Sequence, residues 1–357
     1  MIIFFILVCF SLFLFLISLK VKINNKIIAY IYIFAVALLA TYRSEDIPDT
    51  IAYKEFYNAL GNNLIQNMNL TYFEPGFVTL ATIIKLIGGN NHQVFFFIIT
   101  LLNLTLIYKG IRIFYKYEVN GTLYIQRSIK YVVPLVLYVF TFGYVFNFIT
   151  LRAGLAFSFL FLALAYYKVN YKKSILLFLI ALNCHDAIII ILIIMPFLIL
   201  NIKLKKVIYY VWLMYIPLFY FLGITNIFIE FIFTIVKGIP IIYERFFPYI
   251  GEENIVNGIG SSLRIAIFFV LGLILIKGYT GSLKYSFILT SYFLGLTINC
   301  LFINLAVVGR ISEIFMAFVF VLPGLYLNYK KYTLKYLFVL IIILLYFIIS
   351  NFRISGY

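Results

Sequence analysis

The chain is written as apolar runs of bilayer-crossing length separated by short polar segments, and this pattern constrains the fold more than any motif does. A helix needs about 20 apolar residues to cross the ~30 Å hydrocarbon core. Such runs occupy 2–19, 27–42, 92–110, 131–148, 151–168, 207–224, 263–277, 284–304, 309–327 and 333–351. Of the 357 residues, 65% are hydrophobic and only 11% charged, against roughly 25% charged in a soluble domain. Mean hydropathy is +1.10. No water-soluble core could hide that much apolar surface, so lipid is the solvent for most of the chain. The expected fold class is all-α: one integral membrane domain, a polytopic transmembrane helical bundle of about ten full spans. Run 2–19 has no basic start and no small-residue cleavage site, and reads as a retained span rather than a signal peptide.

Two stretches do not fit a simple count. Residues 76–89 are too short to cross, and 174–201 are long for one helix and short for two. Positive charge in short loops decides between the arrangements. With loop 20–26 cytoplasmic, segments 109–130, 168–173, 203–206, 277–284 and 328–335 join it if two conditions hold. Residues 76–89 must be a re-entrant segment, and 174–201 a short helical hairpin with Asn183, Cys184, His185 and Asp186 at its tip. The cytoplasmic segments then hold 17 Lys, 2 Arg and one acid, Glu118; outside lie 3 Lys, 6 Arg and 11 acids. A straight span over 174–201 would move Lys203, Lys205 and Lys206 outside and destroy the bias. Both termini and the longer loops 43–75 and 225–262 fall on the extracytoplasmic side. The net charge of +16 is thereby explained as topology, and no nucleic-acid partner is expected. Cys9, Cys184 and Cys300 are odd in number, lie in apolar runs and fit no disulfide or metal framework.

The cytoplasmic loops are too short to hold an enzyme, so any chemistry belongs to the membrane domain and its outer loops. Four arginines, Arg43, Arg152, Arg264 and Arg310, stand at outer ends of spans. Snorkelling accounts for any one of them. The outer side nevertheless uses Arg where the cytoplasmic side uses Lys. Topology requires only charge, whereas the guanidinium fork suits bidentate phosphate contact. The four are candidate ligands of a pyrophosphate at the membrane surface. Acids accompany them. Glu45 and Asp46 read as a solvated loop; Asp49, four residues before Tyr53, and Glu74, before Pro75 and Gly76 at a helix start, are the better candidates. His185 suits general-base work at a tip that must break at membrane depth. Asp186 adjoins it, but neighbours along a helix face different ways, so its orienting partner is open. His92 lies in an ordinary polar turn. HExxH, CxxC, a Gly-rich phosphate loop, GxSxG and an outer DxD pair are all missing, so neither a metal nor a cofactor is expected.

The order of these residues resembles the EpsG/Wzy family of bacterial exopolysaccharide and O-antigen polymerases. Arg43, Asp49 and Tyr53 precede EPGF (Glu74 to Phe77). There follow N-x-x-x-x-R-x-G-x-A (Asn147, Arg152, Gly154, Ala156), a mid-chain His185 and a late G-R-I (Gly309 to Ile311). The HDA sequence departs from the family, which more often has a small hydroxyl residue close after the His. The resemblance implies a multi-span inner-membrane enzyme with its active site toward the exterior. It would join undecaprenyl-pyrophosphate-linked oligosaccharides, with the lipid bilayer as surroundings and a chain-length regulator as a further partner. In that role His185, Asp49 and Glu74 are the candidate catalytic groups, and Tyr53 and Asn147 candidates for acceptor binding. Three other classes are open. A lipid-linked glycan flippase or transporter would also break helices and bury charge, but should show paired repeats and polar residues toward both faces. A membrane acyltransferase would need a donor path from the cytoplasm. A glycosyltransferase using a polyprenyl-phosphate sugar would take an acidic base from the first outer loop, which Asp46 or Asp49 could supply.

Overall fold

The computed structural model describes residues 25–47, 49–69, 71, 73–116, 129–222, 259–279, 281–301 and 306–322, with isolated positions at 6, 10, 13, 227, 231 and 234. The expected spans 2–19 and 333–351 and most of loop 225–262 lie outside the described residues. Every regular element among them is helical and none is a strand, which bears out the all-α class. Among the described residues, one helix, His92–Lys116, is by itself long and apolar enough to cross a bilayer, and the shorter apolar helices there run 10–17 residues.

The described residues fall into two compact units, 25–189 with 320–322, and 190–319. In the first, α1 (Asn25–Thr41), α2 (Thr50–Ala59), α3 (Leu64–Asn69), α4 (Pro75–Gly88) and α5 (His92–Lys116) are followed by α6 (Ile129–Tyr138), α7 (Leu151–Tyr166) and α8 (Tyr171–Cys184). α5 is the spine. Its buried residues, Phe95, Phe96, Ile99, Asn103, Leu104, Ile107, Ile111 and Phe114, recur at three- and four-residue spacing, the stripe expected of a helix packed along one face. α1 and α7 pack against it. α6 continues through two π-helical turns, Val139–Gly143 and Val145–Ile149, and the helix ends at Thr150 (φ −101°, ψ 68°). There the chain reverses into α7, so that the Phe146 ring meets Phe157 at 5.2 Å. Gly154 stands opposite Phe146 across this turn, and a Cβ on it would collide with the Phe146 carbonyl oxygen. The glycine of the R-x-G-x-A motif is therefore a close-approach residue. Asn103 in mid-α5 joins the same turn through Ser158 and Tyr138.

The stretch expected to dip and return is one unbroken helix, α4, of 14 residues, or about 21 Å. Both of its ends are held to the same short helix, α2. Phe77 in its first turn lies 6.0 Å from the Tyr53 ring and 5.8 Å from Phe56. At the other end, Lys85 Nζ donates to the Tyr57 and Asn58 carbonyls at 2.8 and 3.0 Å, and the Tyr57 hydroxyl donates to the Gly89 carbonyl at 2.8 Å. The predicted break in 174–201 is present. α8 begins behind an Asn170 cap whose side chain accepts from Lys173 N and stops at Cys184. His185 is extended (φ −164°, ψ 121°), and Asp186–Ile193 continues as a 3-10 helix.

The second unit contains α9 (Met195–Ile199), α10 (Lys206–Phe221), α11 (Ile259–Lys277), α12 (Leu283–Leu301) and α13 (Ala306–Met316). The buried Tyr209 hydroxyl of α10 meets Ser286 and Thr290 of α12 at 2.9 and 3.0 Å. Ser291 donates to the Phe315 carbonyl at 2.6 Å. Hydroxyl groups thus fix α12 between apolar neighbours, where an unpaired polar group would be costly.

Candidate active site

Glu74 owes its position to the proline after it. A residue before proline is restricted to extended backbone, and Glu74 has φ −62° and ψ 143°. Pro75 opens α4, where its missing N–H costs nothing. Glu74 stands at the N-terminus of α4, but its side chain makes no capping hydrogen bond. It turns aside instead. Oε1 meets His185 Nδ1 at 2.6 Å, and Oε2 accepts from Arg152 Nη1 at 2.8 Å. The backbone N–H of Asp186 adds a longer contact to Oε1, 3.4 Å. Gly76 makes this meeting possible: a Cβ there would stand 2.7 Å from the Asn183 carbonyl oxygen. The glycine thus lets the start of α4 touch the end of α8. The motif E-P-G places the carboxylate, starts the helix and removes the obstacle, one residue each.

The shared carboxylate lies well below its ordinary range. Burial alone would raise it, but the hydrogen bond with His185 and the Arg152 charge prevail and hold Glu74 at about 2. An ionised carboxylate only accepts. Nδ1 of His185 must therefore carry the proton, which leaves Nε2 as the basic nitrogen. The sequence left the partner of His185 open between neighbours; the structure gives it as Glu74, 111 residues earlier. Glu74 is 9% exposed, whereas Arg152 and His185 are each 26% exposed. The two groups that could touch a substrate reach the surface, and the one that orients them does not.

Arg152 sits in the first turn of α7 with its guanidinium carbon 4.1 Å from the centre of the Phe73 ring. Its Nε is buried without a partner, and its backbone N–H points to the Tyr53 hydroxyl at 3.5 Å. Tyr53 also faces Arg43, whose guanidinium carbon is 5.8 Å from the ring centre. Arg43 is only 5% exposed. It lies 3.4 Å over Phe96 and donates to the Phe148 carbonyl at 2.8 Å, while Nε and Nη2 have no partner. Burial pushes Arg43 down to about 9, with Tyr53 and Asp49 opposing; it is a cation at neutral pH.

Asp49 precedes α2 in the left-handed region (φ 63°), tolerated better by Asp than by most residues, and acts on Arg43 through its charge. Asn147 is buried in the second π turn, donating to the Gly143 carbonyl at 2.5 Å with Oδ1 unpartnered. Of the predicted residues, the structure brings Glu74, Arg152, His185, Tyr53 and Arg43 into one connected group, with Asp49 at its edge. Arg264 and Arg310 fall on α11 and α13 in the other unit, and their side chains lie outside the described residues. Sequence reasoning missed Phe73 and Phe96, the aromatic seats of the two arginines; the only signal for Phe73 was its place beside Glu74. Among the described residues no cluster of three or more His, Cys, Asp or Glu is placed to hold a metal ion.

The arrangement provides an oriented imidazole base and a seated guanidinium on three elements distant in sequence. The model of the EpsG family matches residues 26–356, a range that takes in every residue of this group. No curated protein and no solved structure matches the chain.

Proposed function

The chain belongs to the EpsG family, and from that premise we propose that it is a membrane glycosyltransferase that polymerises polysaccharide repeat units. The donor is an oligosaccharide on undecaprenyl pyrophosphate, and the acceptor is a sugar hydroxyl of a second lipid-linked unit. The reaction takes place on the extracytoplasmic face of the bacterial inner membrane. The observation that carries this reading is the Glu74 carboxylate shared between His185 and Arg152 at 2.6 and 2.8 Å. It joins a base to a phosphate-binding cation in one partly exposed group.

The acceptor hydroxyl attacks the anomeric carbon. Its proton passes to Nε2 of His185, and the bond from that carbon to the pyrophosphate oxygen breaks, the electron pair leaving with the pyrophosphate. A lipid pyrophosphate is a weakly basic leaving group, so the step needs charge stabilisation more than an acid. Arg152 supplies it, with Arg43, Arg264 and Arg310 as further candidates from the outer side. Glu74 holds the imidazole tautomer and, as His185 takes the proton, offsets the new charge. Asp49, Tyr53 and Asn147 shape the acceptor side. No metal is invoked, because the arginines provide the positive charge. A chain-length regulator would act on this enzyme from outside the site.

The test is purified protein with a synthetic undecaprenyl-pyrophosphate-linked repeat unit. The expected product is a ladder of multimers with release of undecaprenyl pyrophosphate. Intact starting unit after incubation, with folded protein, would refute the reading. So would transbilayer movement of the unit without polymerisation.

A further inference from the structure

We propose that Glu74 is a built-in competitor for the anion subsite: its carboxylate occupies Arg152 in the resting protein, and an incoming lipid pyrophosphate displaces it. The inference rests on the functional reading above and adds how the site is kept closed and then armed. The starting observation is that one carboxylate serves two groups with separate oxygens, Oε2 to Arg152 and Oε1 to His185. The Oε1 side has a second support in the backbone N–H of Asp186 at 3.4 Å. The Oε2 side rests on Arg152 alone. The half of the carboxylate facing Arg152 is therefore the half that can be exchanged.

Arg152 is seated for such an exchange. Its guanidinium lies on the Phe73 ring at 4.1 Å, a contact that does not consume N–H donors. One donor, Nη1, is bound to Glu74, and Nε has no partner. A buried idle N–H on a group 26% exposed is a donor awaiting an acceptor, since buried unpaired donors are costly. A diphosphate offers several anionic oxygens to the one that Glu74 presents. It can engage the fork while the stack on Phe73 persists. Glu74 would then serve His185 only, so donor binding itself strengthens the support for the base. Without substrate the carboxylate neutralises the arginine, and smaller anions meet a satisfied cation.

The test is the affinity of undecaprenyl pyrophosphate for the purified full chain in detergent micelles, beside turnover of the lipid-linked unit. Glu74→Gln keeps the shape and removes the charge. Under displacement, this variant binds undecaprenyl pyrophosphate about threefold or more tightly while turnover falls. The gain vanishes when Arg152→Gln is combined with it. A Glu74 that only scaffolds Arg152 would give weaker binding in the Gln variant, and unchanged or weaker binding overturns the proposal. Glu74→Ala removes the same charge and serves if the Gln variant does not elute as folded protein. If neither variant folds, Glu74 is structural and the proposal falls. Wild-type protein that neither binds undecaprenyl pyrophosphate nor polymerises the unit refutes the functional reading itself; wild type that does both, with no tightening in the variants, removes only the competitor role.

Discussion

Replacing Gly76 by Ala tests whether the site depends on the contact between α4 and α8. Two effects oppose each other. Alanine is the better helix former by about 0.8–1.0 kcal/mol in a helix interior, and Gly76 is the second residue of α4. Against this, the new Cβ would meet the Asn183 carbonyl oxygen at 2.7 Å and the Asn183 carbonyl carbon at 2.9 Å. Backbone atoms cannot rotate away, so the helix start must retreat by about 0.7 Å to reach ordinary contact at 3.4 Å. The sterics win, because overpacking of this kind costs about 1–3 kcal/mol. The retreat carries Glu74 with it and stretches the 2.6 Å contact to His185 to about 3.3 Å, at the edge of hydrogen bonding. Misplacement by about 1 Å can cost 10²-fold in rate, so turnover should fall by about 30- to 100-fold with the protein still folded. The assay is multimer formation from the lipid-linked unit, with unfolding monitored in parallel. Asn183→Gly removes only the side-chain part of the clash and should not rescue the double variant. Near-normal turnover in Gly76→Ala would show that the carboxylate keeps its place without the glycine, and would refute this account of the motif.

His185→Gln keeps a hydrogen bond to Glu74 but cannot accept the hydroxyl proton, and should lower turnover by about 10²–10⁴-fold with donor binding retained; normal turnover would remove His185 from the mechanism. Arg152→Lys preserves charge and loses the fork, so polymer length measured on gels should collapse while protein level holds. Glu74 sits at about 2 against an ordinary 4.5; its stabilising contribution is complete above 4.5 and is lost as the pH falls toward 2. On acidification from about pH 5 to about pH 3, wild-type protein should therefore lose more thermal stability than Glu74→Gln; equal losses would place the acid-sensitive group elsewhere.

Much of the helix pattern was legible because apolar run length and loop charge act along the chain. The run 151–168 became Leu151–Tyr166 and 284–304 became Leu283–Leu301. The break at 183–186 followed from charge alone: a straight helix there would have destroyed the loop bias. What stayed hidden was pairwise. Nothing near His185 announces Glu74, because their meeting depends on α4 and α8 touching through Gly76. The burial of Arg43 was equally unreadable. A guanidinium after a span looks the same in sequence whether it snorkels to water or lies over Phe96 and caps the Phe148 carbonyl. The length of 76–89 shows that it is too short to cross, yet nothing in it announces a single unbroken helix, since both anchors lie on α2.

The two π-helical turns before Thr150 carry a consequence for how this region tolerates change. Each π turn accommodates one residue more than the α-helical ladder requires. Deleting a residue such as Phe142 from Val139–Gly143 would let the segment relax into ordinary helix, a gain in local regularity. Because the π turn has already absorbed that residue, the helix after it would keep its facing, with the Phe148 carbonyl still toward Arg43 and Gly154 still against Phe146. An added residue that no π turn absorbs would instead turn the stretch up to the chain reversal by about 100°. This stretch should therefore tolerate the loss of one residue at a π turn better than the gain of one. The slack stored in the π turns lies just before the reversal that presents Arg152 to Glu74.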